Sequence, residues 1–177
     1  MILNKNLLEI IKSFLNFNFE ICGCIKEAHG GRIIFEVHSQ DETKIGSDKL
    51  MCEHLSYSRH IFHTHPNISK CYPSAKDIIK VMKNSMIMSS IIFCKWGVWE
   101  IYSNKKYSFS LSEKQIENDK INKLLVELYE MTGKGRANEV DYKKINKCVK
   151  KIEDKYKSFG LEINLTQWED EYEITYK

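Results

Sequence analysis

A chain of 177 residues corresponds to about 1.2 domains of ordinary size, so one domain with an elaboration is expected. Hydrophobic residues make up 42% of the chain and charged residues 29%, which excludes a disordered or fibrous protein. The net charge of +3 is too small to indicate a nucleic-acid binder. No apolar run approaches the roughly 18 residues that a membrane span requires, so neither nucleic acid nor membrane is an expected partner.

The six cysteines are spread through the chain rather than clustered. Small secreted proteins that depend on disulfides carry a much denser set of cysteines. Charged residues also interrupt every short apolar run near the N-terminus, which argues against a signal peptide. We therefore expect reduced thiols and a cytoplasmic location.

The first hundred residues alternate between strand-like and helix-like patterns. The apolar side chains at 7, 8, 11, 14 and 15 have helical spacing, and Gly30-Gly31 between two β-rich runs indicates a hairpin. In chain order the pattern predicts a helix over 5–16, strands over 19–26 and 32–38, a polar loop over 39–49, a strand over 59–65, a helix after Pro73-Ser74, and strands over 86–95 and 97–103.

The remaining third predicts two helices and a closing strand. Ser112 with Gln115 is a candidate capping box for a helix whose apolar face is Ile121, Leu124, Leu125, Leu128 and Met131, ending at Gly133 and Gly135. A second helix carries Ile145, Cys148, Val149 and Ile152 and ends at Gly160. Leu161, Ile163 and Leu165 then alternate with polar residues, as in a half-buried strand.

Charge is uneven in this last third of the chain. Residues 134–158 hold nine Lys/Arg against four Asp/Glu, and residues 159–177 hold one Lys against five Asp/Glu. A solvated helix face beside an acidic tail is the favoured interpretation. A face on the C-terminal helices that binds phosphate or a protein partner is the alternative.

The most informative segment is His63-Thr64-His65-Pro66, followed by Ser74-x-x-Asp77. Residues two apart on a strand share a face, so His63 and His65 would present two imidazoles side by side. Asp77 would lie in the first turn of the next helix. Two imidazoles, one carboxylate and a water are the ligand set of a catalytic zinc site.

Each half of this pattern also has an ordinary structural explanation. A His-x-His pair is common on strand surfaces and in cores without any metal. Ser74-x-x-Asp77 can be a helix N-cap with a carboxylate that favours the helix dipole. The combination is more specific, because the cap would bring Asp77 to the strand end where both histidines point.

A water bound at such a metal needs a base to accept its proton. Glu20, at the start of the first predicted strand, would be costly to bury without a partner or a role. Glu36 on the second strand is a competing candidate. Strand spacing alone does not choose between them.

The set Glu20-Ile21-Cys22-Gly23, His63-Thr64-His65-Pro66 and Ser74-x-x-Asp77 resembles the signature of the JAMM (MPN+/JAB) zinc metalloproteases. The resemblance covers roughly residues 5–105 and selects Glu20 over Glu36. It implies an α/β (α+β) fold with a central mixed sheet flanked by helices, in an MPN/JAB-like and cytidine-deaminase-like layout. Residues 1–110 would form this core, and residues 111–177 a C-terminal helical extension.

The same resemblance implies a function and a role for each residue. His63, His65 and Asp77 would hold one Zn²⁺, Glu20 would be the general base, and the Ser74 hydroxyl would stabilise the oxyanion. The substrate would be ubiquitin or a ubiquitin-like protein joined to a lysine. Alternatives are a metallopeptidase that processes small-protein or sulfur-carrier precursors, and a non-catalytic MPN scaffold.

Overall fold

The computed structural model describes residues 5–28, 32–38, 58–66, 71–104, 110–132 and 142–168. These residues form a mixed α/β fold with one six-stranded sheet flanked by helices. The helices are α1 (Lys5–Phe14), α2 (Ala75–Lys83), α3 (Leu111–Thr132) and α4 (Tyr142–Lys155). The strands are β1 (Cys22–Ala28), β2 (Arg32–His38), β3 (His60–Thr64), β4 (Ser89–Cys94), β5 (Gly97–Ser103) and β6 (Leu161–Gln167).

The sheet order is β2-β1-β3-β4-β5-β6. The β3–β4 pair is parallel and is connected through α2, whereas the other four pairs are antiparallel. The predicted hairpin is confirmed by the β1–β2 pairing, while its Gly30-Gly31 turn and the predicted loop over 39–49 lie outside the described residues. In an α/β sheet, ligands bind beyond the carboxyl ends of the parallel strands, which is where α2 begins.

Several predicted strand ends were wrong by one to three residues. β1 begins at Cys22 rather than at residue 19, because the chain is still turning after α1, with the Phe17 backbone N–H donating to Phe14. β4 begins at Ser89 rather than at residue 86, because the Ile87 backbone N–H closes a turn onto Asn84. The first residues of β1 and β4 are both set by local backbone turns, which the pattern of apolar residues does not reveal.

The two faces of the sheet carry separate apolar clusters. On one face α1 covers a smaller cluster of Ile11, Leu15, Ile25, Phe62, Ile91, Phe93 and Val98. On the other face the larger cluster combines sheet residues such as Ile61 and Trp99 with residues of α2, α3 and α4. Because side chains alternate along a strand, Ile61 and His63 of β3 both face α2.

The described residues of the last third of the chain belong to the same sheet and core. β6 pairs with β5 along its whole length, from Leu161 opposite Ser103 to Gln167 opposite Gly97. The buried residues of the predicted helix faces join the larger cluster, namely Ile121 and Leu125 of α3 and Ile145, Cys148, Val149 and Ile152 of α4. The side chains of Leu128 and Met131 lie outside the described residues. Gly160, at φ 60°, is the left-handed residue that allows the chain to turn into β6.

The predicted capping box of α3 was wrong by two residues. The Glu113 backbone N–H donates to Ser110 Oγ at 3.3 Å, and the Ser110 backbone N–H donates to Glu113 Oε2 at 2.8 Å. Gln115 instead donates to Asp119 farther along the helix. Ser110 and Ser112 are each followed three residues later by Glu or Gln, as a capping box requires. With Ser110 as the N-cap, the Glu113 carboxylate also lies at the positive end of the helix dipole.

The expectation that the cysteines are all reduced was wrong. Cys22 is disulfide-bonded, whereas Cys24, Cys71, Cys94 and Cys148 are thiols, and Cys52 lies outside the described residues. A disulfide requires two Cβ atoms about 3.5–4.5 Å apart, a distance that spacing along the sequence does not reveal. Among the described helices, none combines the length and the apolar character that crossing a bilayer requires.

Gly23 of β1 is tightly enclosed by the two neighbouring strands. A Cβ at this position would lie 2.1 Å from the backbone oxygen of Glu36 and 2.5 Å from the Phe62 ring. We therefore expect Gly23→Ala to lower the free energy of unfolding by about 1–3 kcal/mol, the usual cost of overpacking. Urea denaturation would measure the change, with Lys83→Ala on the exposed side of α2 as a control. An unchanged midpoint for Gly23→Ala would contradict this packing.

Candidate metal centre

The two histidines lie at the carboxyl end of β3. His63 is on the strand and His65 follows it, with its backbone N–H donating to the Phe93 oxygen of β4 at 2.8 Å. The two Nε2 atoms lie 3.1 Å apart, and the ring centroids are separated by 5.0 Å. The backbone pairing of β3 with β4 therefore directs both imidazoles toward one point.

Asp77 reaches the same point from the first turn of α2. Ser74 is the N-cap of this helix: the Asp77 backbone N–H donates to Ser74 Oγ at 3.3 Å, and the Ser74 backbone N–H donates to Asp77 Oδ2 at 2.7 Å. The Ser74 hydroxyl also donates to Asp77 Oδ2 at 2.6 Å. Asp77 Oδ1 lies 3.5 Å from His63 Nε2, and Asp77 Oδ2 lies 4.0 Å from His65 Nε2.

These three side chains can hold a metal ion. One ligand atom from each of His63, His65 and Asp77 lies within 4.8 Å of the other two. Two ligands about 2.05 Å from one ion at a tetrahedral angle are about 3.3 Å apart, close to the 3.1 Å between the imidazole nitrogens. The donor set of two neutral nitrogens and one carboxylate oxygen suits a divalent transition metal.

The electrostatic environment keeps Asp77 in its ligating form. Burial alone would raise the pKa of the Asp77 carboxyl. The neighbouring His63 and His65, together with the hydrogen bonds from Ser74, outweigh that effect and lower the pKa below its ordinary value. The carboxyl therefore stays ionised in spite of its burial, and the ionised form is the one that binds a cation.

Glu20 lies beside His65, although β1 begins only at Cys22 and does not include Glu20 as predicted. The Ile21 backbone N–H donates to Thr64 Oγ1 at 2.9 Å, and the Thr64 backbone N–H donates to the Ile21 oxygen at 2.8 Å. This pair of bonds places Glu20 Oε1 3.8 Å from His65 Nε2, with 39% of the Glu20 side chain exposed. Glu36, the other candidate base, forms an ion pair with Lys26.

The sequence pattern gave Thr64 no role of its own. In the structure its hydroxyl holds the start of β1 against the end of β3. No sequence signal identifies this bond, because its partner is 43 residues away. His60 on the same strand forms a hydrogen bond with Ser89 Oγ through Nδ1 at 2.9 Å.

We expect Ser74→Ala to weaken metal binding by about 10–100-fold, the usual effect of losing a contact that orients a ligand. The loss of the cap also lowers the free energy of unfolding by about 1 kcal/mol. A metal titration and a urea titration of the same preparation would separate the two effects.

Ser110→Ala is the matched control for Ser74→Ala, because Ser110 caps α3 by the same pair of bonds away from the histidines. It should lower stability by a similar amount and leave metal affinity unchanged. Equal metal affinity in the two variants would mean that Ser74 does not position Asp77.

Comparison of the chain with protein-family models, with curated proteins and with solved structures found no match.

Proposed function

We propose that this chain is a zinc-dependent isopeptidase of the JAMM (MPN+/JAB) type, which removes ubiquitin or a ubiquitin-like modifier from lysine. The observation that carries the proposal is the convergence of His63, His65 and Asp77 on one point, with the Glu20 carboxylate at its edge. A structural histidine pair or a simple helix cap would not require a fourth ionisable group there.

The donor set supports zinc as the metal. Catalytic zinc sites use three protein ligands and leave the fourth position to water or substrate. His63, His65 and Asp77 supply three ligands from two elements of the fold, the end of β3 and the start of α2. The metal, when bound, supplies a Lewis acid that polarises a carbonyl and makes a water molecule a nucleophile at neutral pH.

We propose Glu20 as the general base. Its partial exposure and its distance of 3.8 Å from His65 Nε2 leave it within reach of both the site and solvent. Glu20 would accept a proton from the attacking water and deliver it to the departing lysine amine. No covalent intermediate with the protein is needed.

We propose two roles for the Ser74 hydroxyl, which are to orient Asp77 and to stabilise the oxyanion. In the structure its hydroxyl donates to Asp77, and this bond orients the carboxylate. As an oxyanion donor, the hydroxyl would turn from Asp77 toward the developing negative charge during the reaction. One such donor can be worth about 3 kcal/mol of transition-state stabilisation.

The test combines metal analysis with a substrate panel. Elemental analysis of the purified chain should find zinc, and a chelator should abolish cleavage until zinc is restored. Lysine-linked di-ubiquitin tests isopeptide cleavage, whereas linear fusions of ubiquitin or a sulfur carrier test the processing of precursors. Metal-dependent cleavage of linear fusions alone would favour the processing peptidase. Bound metal without any cleavage would favour a scaffold.

A further inference from the structure

Two thiols of the larger apolar cluster contact each other between β4 and α2. Cys94 ends β4 and is fully buried, while Cys71 lies before α2 and keeps 8% of its surface exposed. Cys94 Sγ donates to the backbone oxygen of Cys71 at 3.3 Å, and the two side chains are hydrogen-bonded to each other. Both cysteines are therefore buried, and Cys71 is the less deeply buried of the two.

The backbone at both cysteines is fixed by tryptophans. Trp99 Nε1 donates to the Cys71 oxygen at 2.8 Å, and Trp168 Nε1 donates to the Cys94 oxygen at 2.8 Å. The backbone of each cysteine is thus fixed by a hydrogen bond that does not involve its own sulfur.

The two thiols differ in acidity in the order that stepwise oxidation requires. The hydrogen bond from Cys94 lowers the pKa of the Cys71 thiol to about 7, against the effect of burial, and the backbone and charge of Lys95 act in the same direction. Burial raises the pKa of the Cys94 thiol well above its ordinary value. Cys71 therefore carries the larger thiolate fraction at neutral pH, and the thiolate is the reactive form.

We propose that Cys71 and Cys94 are a redox-active dithiol that a hydroperoxide converts into a disulfide. The Cys71 thiolate attacks one oxygen of the peroxide, the O–O bond breaks, and the leaving oxygen takes a proton. Cys94 sulfur then attacks the sulfenic acid on Cys71, the S–O bond breaks, and water leaves with the Cys94 proton. With hydrogen peroxide, two thiols are oxidised to one disulfide and the peroxide is reduced to two waters.

The position of this pair links the reaction to the candidate metal centre. Cys71 is three residues before Ser74, which caps the helix that carries Asp77. Cys94 follows Phe93, whose oxygen accepts the backbone N–H of His65. A bond between the sulfurs would join the two segments that support the ligands. The proposal concerns thiol chemistry and does not depend on the proposed isopeptidase activity.

The test uses the full chain treated with hydrogen peroxide, followed by unfolding, alkylation of the remaining thiols and peptide mapping. We expect a Cys71–Cys94 cross-linked peptide to form and to disappear on reduction. Cys148, also a buried thiol but on α4, is the matched control and should remain available for alkylation. Alkylation of Cys71 should be half-maximal near pH 7.

Cys94→Ser removes the second thiol and should leave Cys71 as a sulfenic acid that a dimedone probe captures. In the parent chain the probe should label Cys71 at least about tenfold less, because Cys94 consumes the intermediate. The proposal fails if Cys71 in the parent chain is oxidised no faster than Cys148. It also fails if Cys71 proceeds to sulfinic acid without joining Cys94. Peptide mapping of the parent chain tests the formation of the Cys71–Cys94 disulfide even if Cys94→Ser does not fold.

Discussion

Glu20→Gln is expected to keep the bound metal and to lower the rate of isopeptide cleavage by about 10²–10⁴-fold, the usual contribution of a general base. Glutamine has nearly the same shape as glutamate but accepts no proton at neutral pH. Glu20 is not one of the three residues whose atoms converge as ligands, so the metal content should not change. Elemental analysis and single-turnover cleavage of di-ubiquitin would measure both quantities.

Glu36→Gln is the matched control, because Glu36 is the other carboxylate weighed as a base and it is paired with Lys26. Its activity should stay within about twofold of the parent, since surface ion pairs contribute little. Full activity in Glu20→Gln with the metal in place would show that the base is another group.

His63→Ala is expected to remove the metal. His63 contributes one of two imidazoles, and its Nε2 lies 3.5 Å from Asp77 Oδ1 and 3.1 Å from His65 Nε2. Losing a ligand should weaken binding by more than the roughly 100-fold that loss of an orienting contact can cost. The zinc recovered with the purified chain should fall to a background level, and cleavage should fall with it.

His60→Ala separates this effect from the general cost of losing a histidine on β3. His60 lies on the same strand, but its ring bonds Ser89 rather than the candidate ligands. This variant should lose some stability and keep its zinc. If His63→Ala retained a full zinc content, the ion would have to be held elsewhere and the proposed site would be wrong.

The elements of the fold were largely predictable, whereas several of their ends were not. Alternation and apolar spacing predicted β2 and β5 at their observed bounds, and they predicted the buried face of α4. The errors at β1, β4 and the cap of α3 arise where a hydrogen bond with a neighbouring turn or residue decides between similar registers. Such choices depend on geometry that residue type does not encode.

The site was predictable to the extent that it is local in sequence. His63 and His65 are two residues apart, and a capping box fixes Asp77 relative to Ser74, so spacing alone indicates a cluster. The position of Glu20 depends instead on the bond between Ile21 and Thr64, across 43 residues. The choice of Glu20 came from the resemblance, and periodicity left Glu36 equally acceptable.

The pairing of β6 with β5 has a consequence for the order in which the chain can fold during synthesis. Until residues 161–167 leave the ribosome, β5 is an outer strand with an unsatisfied backbone, next to the central strands that support the histidines. Non-local pairings of this kind form slowly, and nascent chains that wait for them are exposed to aggregation. A fragment of residues 1–110 would contain every candidate ligand, and we expect it to be recovered mainly in inclusion bodies.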